Sequence, residues 1–552
     1  MLAEESCMSP QKTVFNELKI KVEMLWTLAP TNYRGRKVRI GKKGKLDWPV
    51  FILSSSFLIA FIVLSLINSN AVDNAINVLF DYSASIFGAY WQVLLLLNFL
   101  IGLVLAISKY GAVRLGKQDR PKYSYFGWVS MILVTLLASG GVFWAASEPI
   151  QHYISSPPLT GEESGHVAGA FAQSFLHWGF SAWAILGTLA TIVMMYVHYS
   201  KGFPLKPRGL LYPIFGEKIY QKSVLGTLAD TFSIIATVAG TLGPLGFLGL
   251  QIAYGLNYLF DIPNTISLSI WVVIILVTVA GISAATGVDR GIYYLSNYNV
   301  QFTILLAVVV LIIGPTLFIV DAFVGGTGYH LQNFFEMSLY RSDTEWVGGW
   351  TIFFWGWFIG YAPMLIVFIS RISRGRTIRE LILAVSIIAP LVTNFWFSIV
   401  GGTGVFFERE NPGAVSGPFN EGGMEAAVMA ISDQLPMGTL IGIGFLLASI
   451  IFVATTADTM SYTVAATLSG HDNPKRWLRV FWAAIFGLTT IMILSIGEDS
   501  IASIQNSIVI TAVPVSFLLL PPLWSAPRIA RKMALEQGLI WEREMRKKVS
   551  RY

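Results

Sequence analysis

The sequence predicts an all-α polytopic membrane protein with twelve membrane-spanning helices. Three observations carry that reading. Apolar side chains make up 54% of the 552 residues and charged ones only 13%, about half the charge of a soluble domain. Apolar runs of about 20 residues, each long enough to cross a bilayer as a helix, recur from end to end. With the N-terminus inside, every Lys and Arg except Arg341 and Arg409 falls on the cytoplasmic side, as the positive-inside rule requires.

The runs lie at about 48–68, 90–108, 126–147, 168–198, 228–256, 265–285, 298–320, 348–369, 379–400, 437–463, 478–496 and 502–522. An odd number of spans would scramble the charge pattern. The fourth, fifth and tenth are long for a bilayer and predict tilt, interruption or extension beyond it. Three parts follow: a basic cytoplasmic segment 1–47, a twelve-helix membrane domain 48–522 and a basic cytoplasmic tail 523–552. Both termini are placed in the cytoplasm, along anionic lipid of the inner or plasma membrane. The segment before the first span is charged and lacks the pattern of a cleavable signal peptide.

Several function classes drop out. Cys7 is the single cysteine, which excludes an internal disulfide and a multi-thiolate metal site. The net charge of +6 is accounted for by topology, so nucleic acid is not a predicted partner. A channel needs charged rings or a continuous polar lining, and the spans hold few charges. No Ser/His/Asp constellation and no His/Glu metal spacing supports an enzyme.

The eighth span carries the densest chemistry, in "TIFFWGWFIGYAPMLIVFISRISRGR" at 351–376. On an ideal helix Trp350, Phe354, Trp357 and Tyr361 share one face, with Phe358 on a second ridge above Trp355. Aromatic faces attract cations and several can cage a quaternary ammonium; packing and interfacial anchoring is the competing reading. A second cluster sits in "SFLHWGFSAWAI" at 174–185. There Trp178 and Trp183 lie five residues apart, about 140° around an ideal helix. His177 reads either as a proton carrier or as a buried hydrogen-bonding residue, with no carboxylate partner close in sequence.

The tenth span holds "IFVATTADTMS" at 451–461. The adjacent hydroxyls Thr455 and Thr456 suit a hard cation bound at a broken or bent helix, or else cap helix carbonyls. Asp458 is ionisable within a span, which points to function or a specific internal pairing. Small residues at Ser139, Gly140 and Gly141, and in "AGTLGPLGFLG" at 239–249 with Pro244, predict bending and close helix approach. Glu148-Pro149 marks the outer end of the third span. Of the longest outer loops, 321–347 predicts a helix near the outer surface and 401–436 a Gly-rich acidic segment.

The stretch "FFWGWFIGYAPMLIVFISRISRGRTIRE" at 353–380 resembles the signature of the betaine/choline/carnitine transporters. "SEP" at 147–149, "HWGFSAW" at 177–183, "LYPIFG" at 211–216, "GVDRGI" at 287–292 and "TTADT" at 455–459 support it in matching order. The resemblance covers about 48–522. It implies the leucine-transporter fold: two inverted five-helix repeats, about 126–320 and 348–522, preceded by two extra helices. It also implies a homotrimer and an alternating-access carrier for betaine, choline, carnitine or a related zwitterionic or cationic solute.

The resemblance also implies site residues. Trp178 and Trp183 match the first two positions of the family's cage. The Tyr position is Leu186 here, the eighth-helix Trp position is Phe358, and a neighbouring Trp is Tyr361, while Trp355 and Trp357 are retained. Phe is a weaker cation platform than Trp and Leu is none, so taurine or another non-quaternary zwitterion is the alternative substrate. Alternating glycines of the family's third helix are reduced to Gly140 within "LLASG" at 136–140. Sodium is the implied coupling ion, held by Thr455 and Thr456 with the backbone carbonyls of Phe452, Val134 and Leu137; no other cofactor is implied. Proton coupling, exchange and a sensor without flux are the remaining alternatives.

Overall fold

In the computed structural model, residues 46–137, 141–160, 165–286, 289–470, 474–496 and 499–540 are described; 286 and 289–297, like 134–137, are described by backbone alone. The basic segment 1–45, Ser139, Gly140 and the basic run 543–552 lie outside them. Among the described residues the architecture is helical, its elements joined by short turns and one isolated bridge between Arg114 and Thr377. Among the described residues ten helices are long and apolar enough to cross a membrane, or eleven if the bent pair Tyr298–Ile313 and Thr316–Gln332 is one span. The protein is therefore an all-α polytopic membrane protein.

The long apolar runs start where side chains can satisfy the first free amides of a helix. Asn68 accepts from the Ala71 amide between the first two helices, Trp48–Ile67 and Ser69–Ile107. Asp499 accepts from Ile501 and Ala502 to open Ser500–Leu519. Thr377 and Glu380 form a capping box before the helix Ile378–Leu383.

Helix boundaries depart from the predicted spans in several places. The second span, 90–108, is only the end of the 39-residue helix Ser69–Ile107. The third span is two helices, Tyr125–Leu137 and Phe143–Ile154. The fourth is interrupted twice, giving Val167–His177, Phe180–Gly187 and Leu189–Met195, closed by a π turn at Tyr196–Ser200. Beyond Ile313 the chain bends by 109° into Thr316–Gln332, because Pro315 has no amide to donate; a helix does form within 321–347. The tenth span, by contrast, takes the predicted extension as one unbroken helix, Gly438–Ser469. Its hydroxyls at Ser449, Thr455, Thr463 and Ser469 each return to a carbonyl one turn back, so they are satisfied without breaking it.

At the centre, Val224–Phe260 packs on Phe353–Ile372, Gly438–Ser469 and Ser500–Leu519. The apolar windows of Val167–Ser200 and Val224–Phe260 are wholly buried, against 28% for Trp48–Ile67 and for Ile266–Ala285. Glycines permit the closest approaches. A Cβ on Gly240 would stand 2.6 Å from the Tyr361 ring, and one on Gly243 would overlap the Trp357 ring.

The arginines that close the aromatic helix work as a clasp. Arg374 donates to the Gly116 carbonyl (2.8 Å), Arg376 to the Tyr123 carbonyl (2.7 Å) and Arg379 to the Ala106 carbonyl (2.8 Å). Arg376 also lies 4.7 Å from the Trp128 ring centroid, a cation–π geometry. Together they fasten the turn after Ser69–Ile107 to the end of Phe353–Ile372.

Two groups of buried charges within the fold form ion pairs. Asp458 meets Arg479 at 3.0 Å and accepts from Ser283 at 2.7 Å, which is the internal pairing its position predicts. Arg208 bridges Asp230 (2.6 Å) and Asp47 (2.9 Å), and Lys206 also reaches Asp47. Burial pushes the Asp47 carboxyl up, but Lys206 and Arg208 outweigh it and hold it below the ordinary carboxylate range. Replacing Arg208 with Met leaves Asp230 buried without its cation. The expected loss is about 3–5 kcal/mol, read as a lowered Tm of the purified protein; an unchanged Tm would mean that the network contributes nothing.

Candidate functional site

The site forms where the interrupted helix meets the aromatic one. Between Val167–His177 and Phe180–Gly187 the chain leaves helical geometry at Trp178 and Gly179. An ideal-helix angle between Trp178 and Trp183 therefore does not apply. Gly179 is required at the break: a Cβ there would overlap the Phe175 carbonyl oxygen. Phe180–Gly187 then packs along Phe353–Ile372, close enough that a Cβ on Gly187 would overlap the Ile369 side chain.

The break turns the Trp178 ring onto the aromatic helix. Its centroid lies 5.5 Å from Phe354, 6.1 Å from Trp357 and 5.5 Å from Phe358, all edge to face. Phe397, from the helix Ala389–Glu410, closes a further side at 5.3 Å. Trp357 is fixed by donating to the Gly240 carbonyl at 2.9 Å. The Tyr361 ring lies one turn on, against Gly240.

The structure thus brings Trp178, Trp357 and Phe358 together. Leu186, Trp183 and Trp355 are buried nearby on the same two helices but have no ring contact among the described residues. The indole N–H groups of Trp183 and Trp355 have no hydrogen-bond partner there either. Buried donors of that kind are rare in folded proteins.

Behind Trp178 lies a cluster that the sequence did not disclose. Trp178 Nε1 donates to Glu148 Oε2 at 2.9 Å. Glu148 Oε1 faces His177 Nδ1 at 2.6 Å and His152 Nε2 at 3.4 Å. His177 Nε2 meets Gln173 at 2.8 Å and Thr351 at 3.0 Å, while its ring stacks on Phe354 at 4.9 Å. His177 is therefore a buried hydrogen-bonding residue with a carboxylate partner 29 positions away. The one available signal was an ionisable Glu148 at the end of an apolar run. One ligand atom each from Glu148, His152 and His177 lies within 4.8 Å of the others. The short contact to His177 and the bond to Trp178 satisfy both carboxylate oxygens, so the group stands as a hydrogen-bonded cluster.

At the predicted sodium position, the Thr455 hydroxyl donates to Ile451 and Phe452 carbonyls at 2.8 and 3.0 Å, leaving its lone pairs available. The Thr456 hydroxyl is buried with no partner among the described residues. Those two oxygens fit a hard cation, which takes oxygen ligands. Val134 and Leu137 belong to Tyr125–Leu137, and their side chains lie outside the described residues.

Residues 49–535 match the betaine/carnitine/choline family transporter description. The chain is 51% identical over 501 residues to Glycine betaine transporter 2 of Vibrio parahaemolyticus, covering 90% of this chain and 93% of that one. It is 32% identical over 483 residues to Glycine betaine transporter OpuD of Bacillus subtilis, covering 85% and 92%. It is 30% identical over 500 residues to the Ectoine/hydroxyectoine transporter of Virgibacillus pantothenticus, covering 89% and 98%. A bundle of long apolar helices with an aromatic cluster buried at its centre, matched over nearly its whole length, leaves one conclusion: the chain belongs to the betaine/carnitine/choline transporter family.

Proposed function

We propose that this transporter carries glycine betaine or a closely similar quaternary ammonium solute by sodium-coupled symport. The observation that carries the reading is the Trp178 ring set edge to face among Phe354, Trp357 and Phe358, a buried aromatic surface of the kind that holds a trimethylammonium group. Trp183, Trp355, Tyr361 and Leu186 complete the lining. Leu186 and Phe358 weaken the cage. They favour, as a second reading, a smaller or non-quaternary zwitterion such as taurine, and two relatives are named for ectoine, one of them for betaine as well.

In this reading twelve spans form two inverted repeats after two extra helices, three chains assemble as a homotrimer, and both termini face the cytoplasm. Thr455 and Thr456, with carbonyls of Phe452, Val134 and Leu137, hold sodium. Sodium and solute each raise the other's affinity, because coupling between two ligands is reciprocal. Inward release is then driven by the ion gradient, of which the potential supplies about 2.3 kcal/mol per charge at 100 mV.

Uptake into proteoliposomes tests this. Labelled glycine betaine, choline, carnitine and taurine are offered with and without an inward sodium gradient. Glycine betaine accumulation that requires the gradient is expected; accumulation of taurine alone would sink the quaternary reading, and binding without flux would identify a sensor. Thr456→Val should raise the sodium concentration for half-maximal uptake about tenfold, roughly the effect of losing one good oxygen contact. Because that hydroxyl has no partner to lose, Tm should hold. Unaltered sodium dependence in this variant would remove Thr456 from the site.

A further inference from the structure

Glu148 is fully buried, and each of its oxygens has a hydrogen-bond partner. The Gln173 amide donates to His177 Nε2, so that nitrogen is an acceptor and the ring proton sits on Nδ1. His177 Nδ1 and Trp178 Nε1 then each donate to one oxygen of Glu148. Both carboxyl oxygens thus accept, an arrangement that a carboxylate satisfies with no proton of its own. Among the described residues no Lys or Arg pairs with it, and its basic neighbours are the rings of His177 and His152. A buried anion without a buried cation is costly and is stabilised by any cation brought near.

The route to such a cation runs through Trp178. An indole that donates to a carboxylate is polarised by it, since hydrogen-bonded groups in a low dielectric reinforce one another. Electron density shifts onto the ring, and a cation on the ring face is held more tightly. The carboxylate itself stays behind the ring, so it meets neither the solute's methyl groups nor its carboxylate.

We propose that Glu148 is ionised and is a positioning residue that supplies negative charge to the substrate cage through the Trp178 indole and so sets its preference for a cationic headgroup over an uncharged one. This rests on the reading of Trp178 as a cage residue. It offsets the weaker platforms at Phe358 and Leu186.

The test compares two ligands of one shape by calorimetry on the full-length protein: glycine betaine and 3,3-dimethylbutanoate, which has carbon in place of nitrogen. Wild-type protein should prefer glycine betaine. Glu148→Gln should cut that preference about tenfold with little change for the carbon analogue, and Glu148→Asp should restore part of it. On a Trp178→Phe background, where the N–H donor is gone, Glu148→Gln should change the preference no further. Equal weakening of both ligands by Glu148→Gln would overturn the proposal, because Glu148 would then only hold the cage in shape. A continued fall on the Trp178→Phe background would overturn the route through the indole. A wild-type protein that binds the two equally would overturn the quaternary reading itself and this proposal with it. If Glu148→Gln fails to fold, the Glu148→Asp variant and the Trp178→Phe ratio carry the same comparison.

Discussion

Replacing Trp178 with Ala should weaken glycine betaine binding by about thirtyfold or more. A desolvated cation–π contact contributes about 2 kcal/mol, and each 1.4 kcal/mol is tenfold in affinity. The loss should exceed that of Trp357→Ala, because Trp178 alone touches Phe354, Trp357, Phe358 and Phe397 together. Removing a buried Trp also costs about 3–5 kcal/mol of stability and leaves Glu148 without one donor. Affinity must therefore be read on folded protein, with Trp178→Phe as the milder variant that keeps a ring. Calorimetric Kd values that stay at the wild-type level in folded Trp178→Ala would exclude Trp178 from the solute site.

The second large effect lies one residue on. At Gly179 an added methyl meets the Phe175 carbonyl oxygen, a backbone atom that yields only if the end of Val167–His177 moves. Gly179→Ala should cost about 1–3 kcal/mol, the range for overpacking, and should displace Trp178 from its ring partners. Transport should fall at least tenfold (about 1.4 kcal/mol), more than stability alone explains. Full transport in a Gly179→Ala protein with normal Tm would show that the break does not set the ring's position.

Much of this was legible in the sequence because membrane burial is written in composition and length. The apolar runs located the long helices, and the stripe through Trp350, Phe354, Trp357 and Tyr361 identified the helix at the centre. Thr455, Thr456 and Asp458 were readable as polar groups in an apolar run, and Asp458 found its cation in Arg479. What stayed hidden depends on tertiary contact. Nothing local joins Glu148 to His177 and Trp178, since the three come from separate helices or from either side of a break. Nor does spacing reveal that the chain leaves helical geometry at Trp178 and Gly179, because a glycine is tolerated inside many helices. Of the tilt, interruption or extension that the tenth span's length allowed, the unbroken Gly438–Ser469 takes extension, a choice that no local signal made.

The aromatic stripe itself crosses a π turn at Gly348–Ile352, where one turn takes up an additional residue. An α-helix advances about 100° per residue, so counting by 3.6 across that turn misplaces Trp346 and Trp350 relative to Phe354. Yet Trp350 still lies parallel to the His177 ring, at 4° and 6.4 Å. For sequence alignment this has a definite meaning. A homologous chain one residue shorter between Trp346 and Phe353 would present the same rings to the same partners as an ordinary α-helix, so a single-residue gap there marks no change of register in the cage.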